Sequence, residues 1–112
     1  MEDAIPCKPV EVSDEFKADL TDVYDYTIAT FGYFQAERYM QKIEKVIDAL
    51  PTLYLTHPEC RHIPTKSRMY RNIILGAHLI IYRITAERIE VLDIVHGASS
   101  ISKIRKVRKI RL

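Results

Sequence analysis

The side chains of this 112-residue chain with the clearest chemical capacity lie in two stretches. His57, Cys60 and His62 are soft metal ligands by type, but the spacing His-x2-Cys-x-His matches no common closed zinc site. A fourth ligand has to come from elsewhere, Cys7 being the only other thiol. The expectation is no metal and no cofactor, with 52–67 a mobile surface loop broken by Pro58 and Pro64. The second stretch is 103–112, where six of ten residues are Lys or Arg and none is acidic. Cations at that density steer and bind an anionic or acidic partner. Lys103, Arg105, Lys106, Arg108, Lys109 and Arg111 are therefore candidate target-binding residues, with Arg68, Arg71 and Arg83 next in line.

The tail is the extreme of a wider asymmetry. Residues 1–60 carry five Lys or Arg against twelve Asp or Glu, a net of −7, whereas residues 61–112 carry twelve against three, a net of +9. The formal total of +2 hides this split. With 47% hydrophobic and 29% charged residues, the chain has the composition of one soluble globular domain, residues 1–112, rather than of a disordered protein. No apolar run has the length of a membrane span, and Met1–Pro6 is a loose acidic leader unlike a signal peptide. The expected location is the cytoplasm, with both cysteines reduced.

The elements that must position these side chains follow from periodicity. Val10-Glu11-Val12 within Lys8–Val12 alternates as a short strand, and Pro9 puts it at a sheet edge. Ser13 caps a helix whose first turn carries Asp14 and Glu15, complementing the dipole. Its apolar stripe is Phe16, Leu20, Val23, Tyr24, Ile28 and Phe31, and Gly32 ends it. A second stripe, Ala36, Tyr39, Met40, Ile43, Val46, Ile47 and Leu50, marks a second helix that Pro51 should stop near Leu50. So short a link folds the pair into an antiparallel hairpin, with both aromatic stripes in the core. Three β-branched runs follow, Tyr70–Leu75, His78–Thr85 and Arg88–His96. Gly76-Ala77 suits a two-residue turn needing positive φ at its first position, so the runs form an antiparallel meander. After Gly97, Ser99 or Ser100 can cap a last helix with Ile101, Ile104, Val107 and Ile110 in one row; the alternative is a basic arm ordered by a partner. The fold class is α+β: a helical hairpin on a small, mostly antiparallel sheet, in the order β-α-α-β-β-β plus a basic tail.

Within that frame, the phrase from His78 to Ile84, a tight turn, and the phrase from Ile89 to Gly97 resemble the RelE/ParE superfamily of bacterial toxins. Phe16–Leu20 through Tyr26, Phe31-Gly32 and Ala36–Tyr39 are similar to its helical hairpin, and Tyr70-Arg71-Asn72 to its second strand. The resemblance runs in order over nearly the whole chain.

It implies a toxin of a type II toxin–antitoxin pair, with a cognate antitoxin as partner, and one of two activities. RelE-like members cleave messenger RNA on the ribosome, chemistry that needs cations for the phosphorane and an acid/base pair. Of the four positions such members use, Arg71 matches, whereas Leu79, Ser99 and Arg105 stand where two arginines and a tyrosine would be. ParE-like members inhibit DNA gyrase, need no catalytic residues, and share the two strand phrases. The ParE-like, plasmid-stabilisation branch is therefore the primary expectation, with no membrane and no sequence-specific DNA binding by the toxin alone. The alternatives are a ribosome-dependent nuclease using Arg71, His78, Arg83, His96 and Arg105, and an inactive homologue that binds only an antitoxin.

Overall fold

The structure is a computed structural model that describes residues 5–112; residues 1–4 of the expected leader lie outside them. The order is β1 (Val10–Val12), α1 (Asp14–Phe31), α2 (Tyr33–Leu53), β2 (Tyr70–Leu75), β3 (His78–Ile84), β4 (Ile89–His96) and α3 (Ile101–Lys106), closed by a 3-10 turn at Val107–Lys109. The four strands lie in the order β1-β4-β3-β2. β2, β3 and β4 form the antiparallel meander, and β1 joins its β4 edge in parallel, Val10 opposite Ile89 and Val12 opposite Val91.

Local chemistry sets the element ends. The Ser13 hydroxyl accepts from the Phe16 N–H at 2.8 Å and donates to the Leu92 carbonyl, so one cap starts α1 and ties it to β4. Gly32, at φ 93°, receives the α1 end by donating its N–H to Ile28 at 2.9 Å. Gly76, at φ 57°, makes the β2–β3 turn, leaving Leu75 opposite His78. Between β3 and β4 the register slips, Ile81 facing Asp93 while Tyr82 faces Val91. Leu92 is thus the extra residue of a bulge, which resets the alternation so that Val91 and Ile94 share one face of the sheet and Leu92 and Val95 the other.

Each face has its own core. On one, Phe16, Ile43, Leu50 and Tyr54 pack on Ile73, Ile80, Tyr82, Ile89, Val91 and Ile94. On the other, Cys60, Ile63, Ile104 and Val107 cover Ile81, Leu92 and Val95. The sheet is the middle of three layers, as two apolar strand faces require.

Four expectations need correction. Helix α2 does not stop before Pro51 but carries it to Leu53. Leu50 and Tyr54, buried on either side, outweigh the single hydrogen bond that the missing proline N–H forfeits. The stretch 52–67 is not a mobile surface loop. Cys60 and Ile63 are buried, Cys60 N–H donates to Tyr70 at 2.9 Å, and Asn72 N–H donates to Pro58 at 3.0 Å, which partly covers the β2 edge. Phe31 is not core but 65% exposed, the last residue of α1. Ile101 likewise stands out of the inward row at 49% exposed, because the helix is capped by Ser100 and only Ile104 and Val107 reach the sheet fully.

Candidate functional site

The basic tail begins in α3, continues through the 3-10 turn and ends extended, and it is held in place by a buried guanidinium. Arg83 on β3 stands directly opposite Glu90 on β4 and pairs with its carboxylate at 2.7 Å, both side chains being 8% exposed. Its remaining donors go to the carbonyl of Ile110 at 3.0 Å, the carbonyl of Arg108 at 3.3 Å and the Tyr70 hydroxyl at 3.4 Å. Burial alone would raise the Glu90 carboxyl, but hydrogen bonds from Arg83 and Arg88 outweigh it and hold it below its usual range. Arg88 also reaches Glu11 at 3.0 Å, linking β1 to the same network. Arg83, a candidate for target binding or catalysis, is thus a clamp on the tail backbone.

Arg71 is similarly engaged. Its guanidinium donates to the carbonyls of Arg68 at 3.1 Å, Leu55 at 3.1 Å and His57 at 3.0 Å, which fastens the 55–68 segment to β2. Arg68 is exposed and takes φ 55°, rare for a residue with a side chain. His78 and His96 face each other across β3 and β4 with ring centroids 5.7 Å apart. Tyr39 donates its hydroxyl hydrogen to Leu75 at 2.8 Å, so His78 Nδ1 supplies the hydrogen of the 2.8 Å bond to the same oxygen. Burial and the neighbouring His96 push the His78 imidazole down. His96 Nδ1 accepts from the Ala98 N–H at 3.0 Å. Of the five nuclease candidates, then, two histidines meet, two arginines are occupied by main-chain carbonyls, and Arg105 lies elsewhere on α3. Leu79 and Ser99 are a tail-side core residue and a turn residue, respectively.

The histidines open onto a groove of about 990 Å³ between α1 and the second half of β4, lined by Val23, Tyr26, Phe31, Tyr39, Ile94 and Val95 among others. β1 pairs only as far as Val91, so α1 rather than a strand flanks this part of the edge. Asp93 lies beside it, 8% exposed, accepting from the Ile94 N–H at 2.9 Å. Burial first, then a hydrogen bond with Asp19 and that residue's charge, push its carboxyl up to about 7 against the pull of Ile94 N–H and Lys103. Residue pattern did not reveal this pair, although an aspartate inside the apolar run of β4 was a visible irregularity.

On the opposite side, α3 and the 3-10 turn present their cations to solvent. Ile101, Ser102, Arg105, Lys106, Arg108 and Lys109 line a shallow recess of about 490 Å³. Arg105 and Arg108 also border a second one, of about 560 Å³, with Ile63, Thr65 and Tyr70. Arg105 donates at 3.4 Å to the His62 carbonyl, and none of the tail cations is within 4.0 Å of a carboxylate among the described residues. Cys60 contributes packing here, its thiol pushed up by burial, and no three His, Cys, Asp or Glu side chains among the described residues converge as a metal site.

A helical hairpin on a four-stranded sheet, backed by a basic C-terminal helix, is the architecture of a RelE/ParE superfamily toxin. The sequence pattern described as ParE toxin of type II toxin-antitoxin system, parDE, matches residues 10–101. Toxin ParE1 of Caulobacter vibrioides is 29% identical over 90 residues, 80% of this chain and 88% of that one. Toxin ParE1 of Mycobacterium tuberculosis is 27% identical over 93 residues, 82% and 92%. A solved chromosomal ParDE system from P. aeruginosa shares the fold with a TM-score of 0.66 at 18% identity, covering 80% of this chain and 96% of that one. The chain belongs to the ParE toxin family of type II toxin–antitoxin systems. Residues 102–112, with all the tail cations, lie beyond the matched span.

Proposed function

We propose that this protein acts in the cytoplasm as a gyrase-inhibiting toxin that needs no catalytic residues and is neutralised by a cognate antitoxin. The observation that carries this reading is the state of Arg71 and Arg83. Phosphoryl-transfer chemistry on RNA requires free cationic donors aimed at the reacting phosphate. Both arginines instead satisfy main-chain carbonyls, and Arg83 also neutralises Glu90. The toxic contact then falls to the exposed cations of the tail, with the exposed Arg68 as a further candidate. For the antitoxin, the groove beside β4 offers apolar lining and, next to it, the exposed aromatics Tyr33 and Phe34 at 66% and 71%. An apolar segment of the partner that buries such a surface gains roughly 25 cal/mol for each Å² covered.

Supercoiling by purified gyrase, run beside translation-coupled mRNA cleavage, tests the reading. Loss of supercoiling with intact mRNA is expected, and robust cleavage with gyrase unaffected overturns it. Co-expression with the neighbouring gene product should raise soluble yield and relieve growth arrest. Equal yield and undiminished arrest would remove the antitoxin part.

A further inference from the structure

We propose that the outward face of the C-terminal helix is a sequence-independent binding surface for the sugar-phosphate backbone of duplex DNA. Three observations converge on it. Arg105, Lys106, Arg108 and Lys109 line one shallow recess, with Lys103 and Arg111 exposed on the same segment. Their charges are free, since no carboxylate among the described residues lies within 4.0 Å of any of them. Their backbone is also fixed in advance: Ile104 and Val107 are buried against the sheet, and Arg83 holds the carbonyls of Arg108 and Ile110. A surface already ordered loses little freedom on binding.

The choice of DNA over an acidic protein follows from composition and layout. Protein–protein contacts deplete lysine at their centre and interleave apolar and polar groups, whereas DNA contacts are far more positive. Here four adjacent cations surround little more than Ile101 and Ser102. Arg and Lys in such a row match the regular negative charge of a duplex and read no base edges. The acidic hairpin lies on the other side of the sheet, with Asp14, Glu15, Asp22, Asp25 and Glu44 exposed. The molecule is thus polarised, and a polyanion draws the tail toward it while repelling the hairpin. The inference does not rest on gyrase being the target.

The test measures fluorescence anisotropy of the full-length chain with two labelled duplexes of unrelated sequence, over about 50–200 mM salt. Equal affinity for both is expected, with log K against log salt falling at a slope of about −4, roughly 0.9 for each of four to five phosphates neutralised. The variant R105Q/K106Q/R108Q/K109Q keeps Ile104 and Val107 and should flatten that slope by about 3.6. A control of equal charge change on the hairpin, K17Q/R38Q/K42Q/K45Q, should leave it nearly unchanged. Absence of binding at the lowest salt, or equal loss in both variants, overturns the inference. As a check needing no substitution, duplex DNA should protect Lys106 and Lys109 from acetylation while leaving Lys42 and Lys45 reactive; uniform reactivity counts against it. DNA binding without gyrase inhibition would leave this inference standing and remove the proposed target, and the reverse result would do the opposite.

Discussion

The two faces of the sheet are held by different kinds of force. On the hairpin face, two long helices bury Phe16, Ile43, Leu50 and Tyr54 against six strand residues. Those contacts are apolar, numerous and without strict direction, so the loss of one weakens the whole face together rather than releasing a single element. On the tail face the covering elements are a six-residue helix and a turn, with Ile104 and Val107 buried, beside the loop anchors Cys60 and Ile63. A helix that short is not stable by propensity. Its place depends on Arg83, whose hydrogen bonds reach main-chain carbonyls two residues apart. One face therefore weakens as a whole, and the other is vulnerable at a single residue. The vulnerable face is the one that displays the cations.

The largest expected effect tests that difference directly. Arg83→Met should lower stability by about 3–5 kcal/mol, since it leaves Glu90 buried with only Arg88 to neutralise it. Urea unfolding measures the loss, and limited proteolysis should show cleavage after Lys106 and Arg108 that the parent resists. A protected tail in this variant would mean that Ile104 and Val107 suffice. Next come Leu50→Ala and Ile104→Ala, each deleting a buried aliphatic side chain at a cost of about 2–4 kcal/mol. Hydrogen exchange should separate them, with protection lost across the strands for Leu50→Ala and only in the tail for Ile104→Ala. Equal, global loss in both would erase the distinction between the faces. Ser13→Ala removes the cap of α1 and the hydroxyl bond to β4, for about 1–2 kcal/mol in thermal or urea unfolding.

The smallest effect is a pH dependence, and it belongs to the groove. Asp93 has its carboxyl raised from 3.8 to about 7 by burial and by Asp19. A proton held more tightly in the folded state adds stability that is complete below the ordinary value and lost as pH rises through the raised one. Stability should therefore decline from Asp93 between pH 3.8 and about 7. Asp93→Asn retains the acceptor for the Ile94 N–H and should flatten that decline, as read by Tm on either side of the window. An unchanged profile would assign the decline to groups other than Asp93; His78 is not one of them, since its lowered imidazole adds stability as pH rises.

Much of the fold was legible because periodicity and punctuation agreed. Ser13 marks a helix start by its hydroxyl, Gly32 and Gly76 a helix end and a chain reversal by their backbone freedom, and each does so in the structure. The boundaries that failed are those where packing overrode a local rule. Pro51 is such a case, carried inside α2 because Leu50 and Tyr54 are both needed in the core. Cys60 and Ile63 are another, in a segment whose prolines and polar residues conceal two anchors. The candidate site was less legible than the fold. Residue type flagged Arg71 and Arg83 as free cations, yet a guanidinium beside unpaired carbonyls is a structural donor, and no spacing rule distinguishes the two. The Arg83–Glu90 pair itself was recoverable, since a tight turn places those positions opposite each other.

By itself the sequence determined the element order, the helix caps, the alternating strand faces and the segregation of acid from base along the chain. These are local properties, set by side-chain shape, backbone freedom and the periods of helix and strand. Only the tertiary structure decided which cations are free. Arg83 and Arg105 differ little as residues, but one lies beneath the tail with every donor engaged and the other lies on its surface. Burial and partner geometry arise when distant segments meet, and here they separate the arginines that build the protein from those left to act on something else.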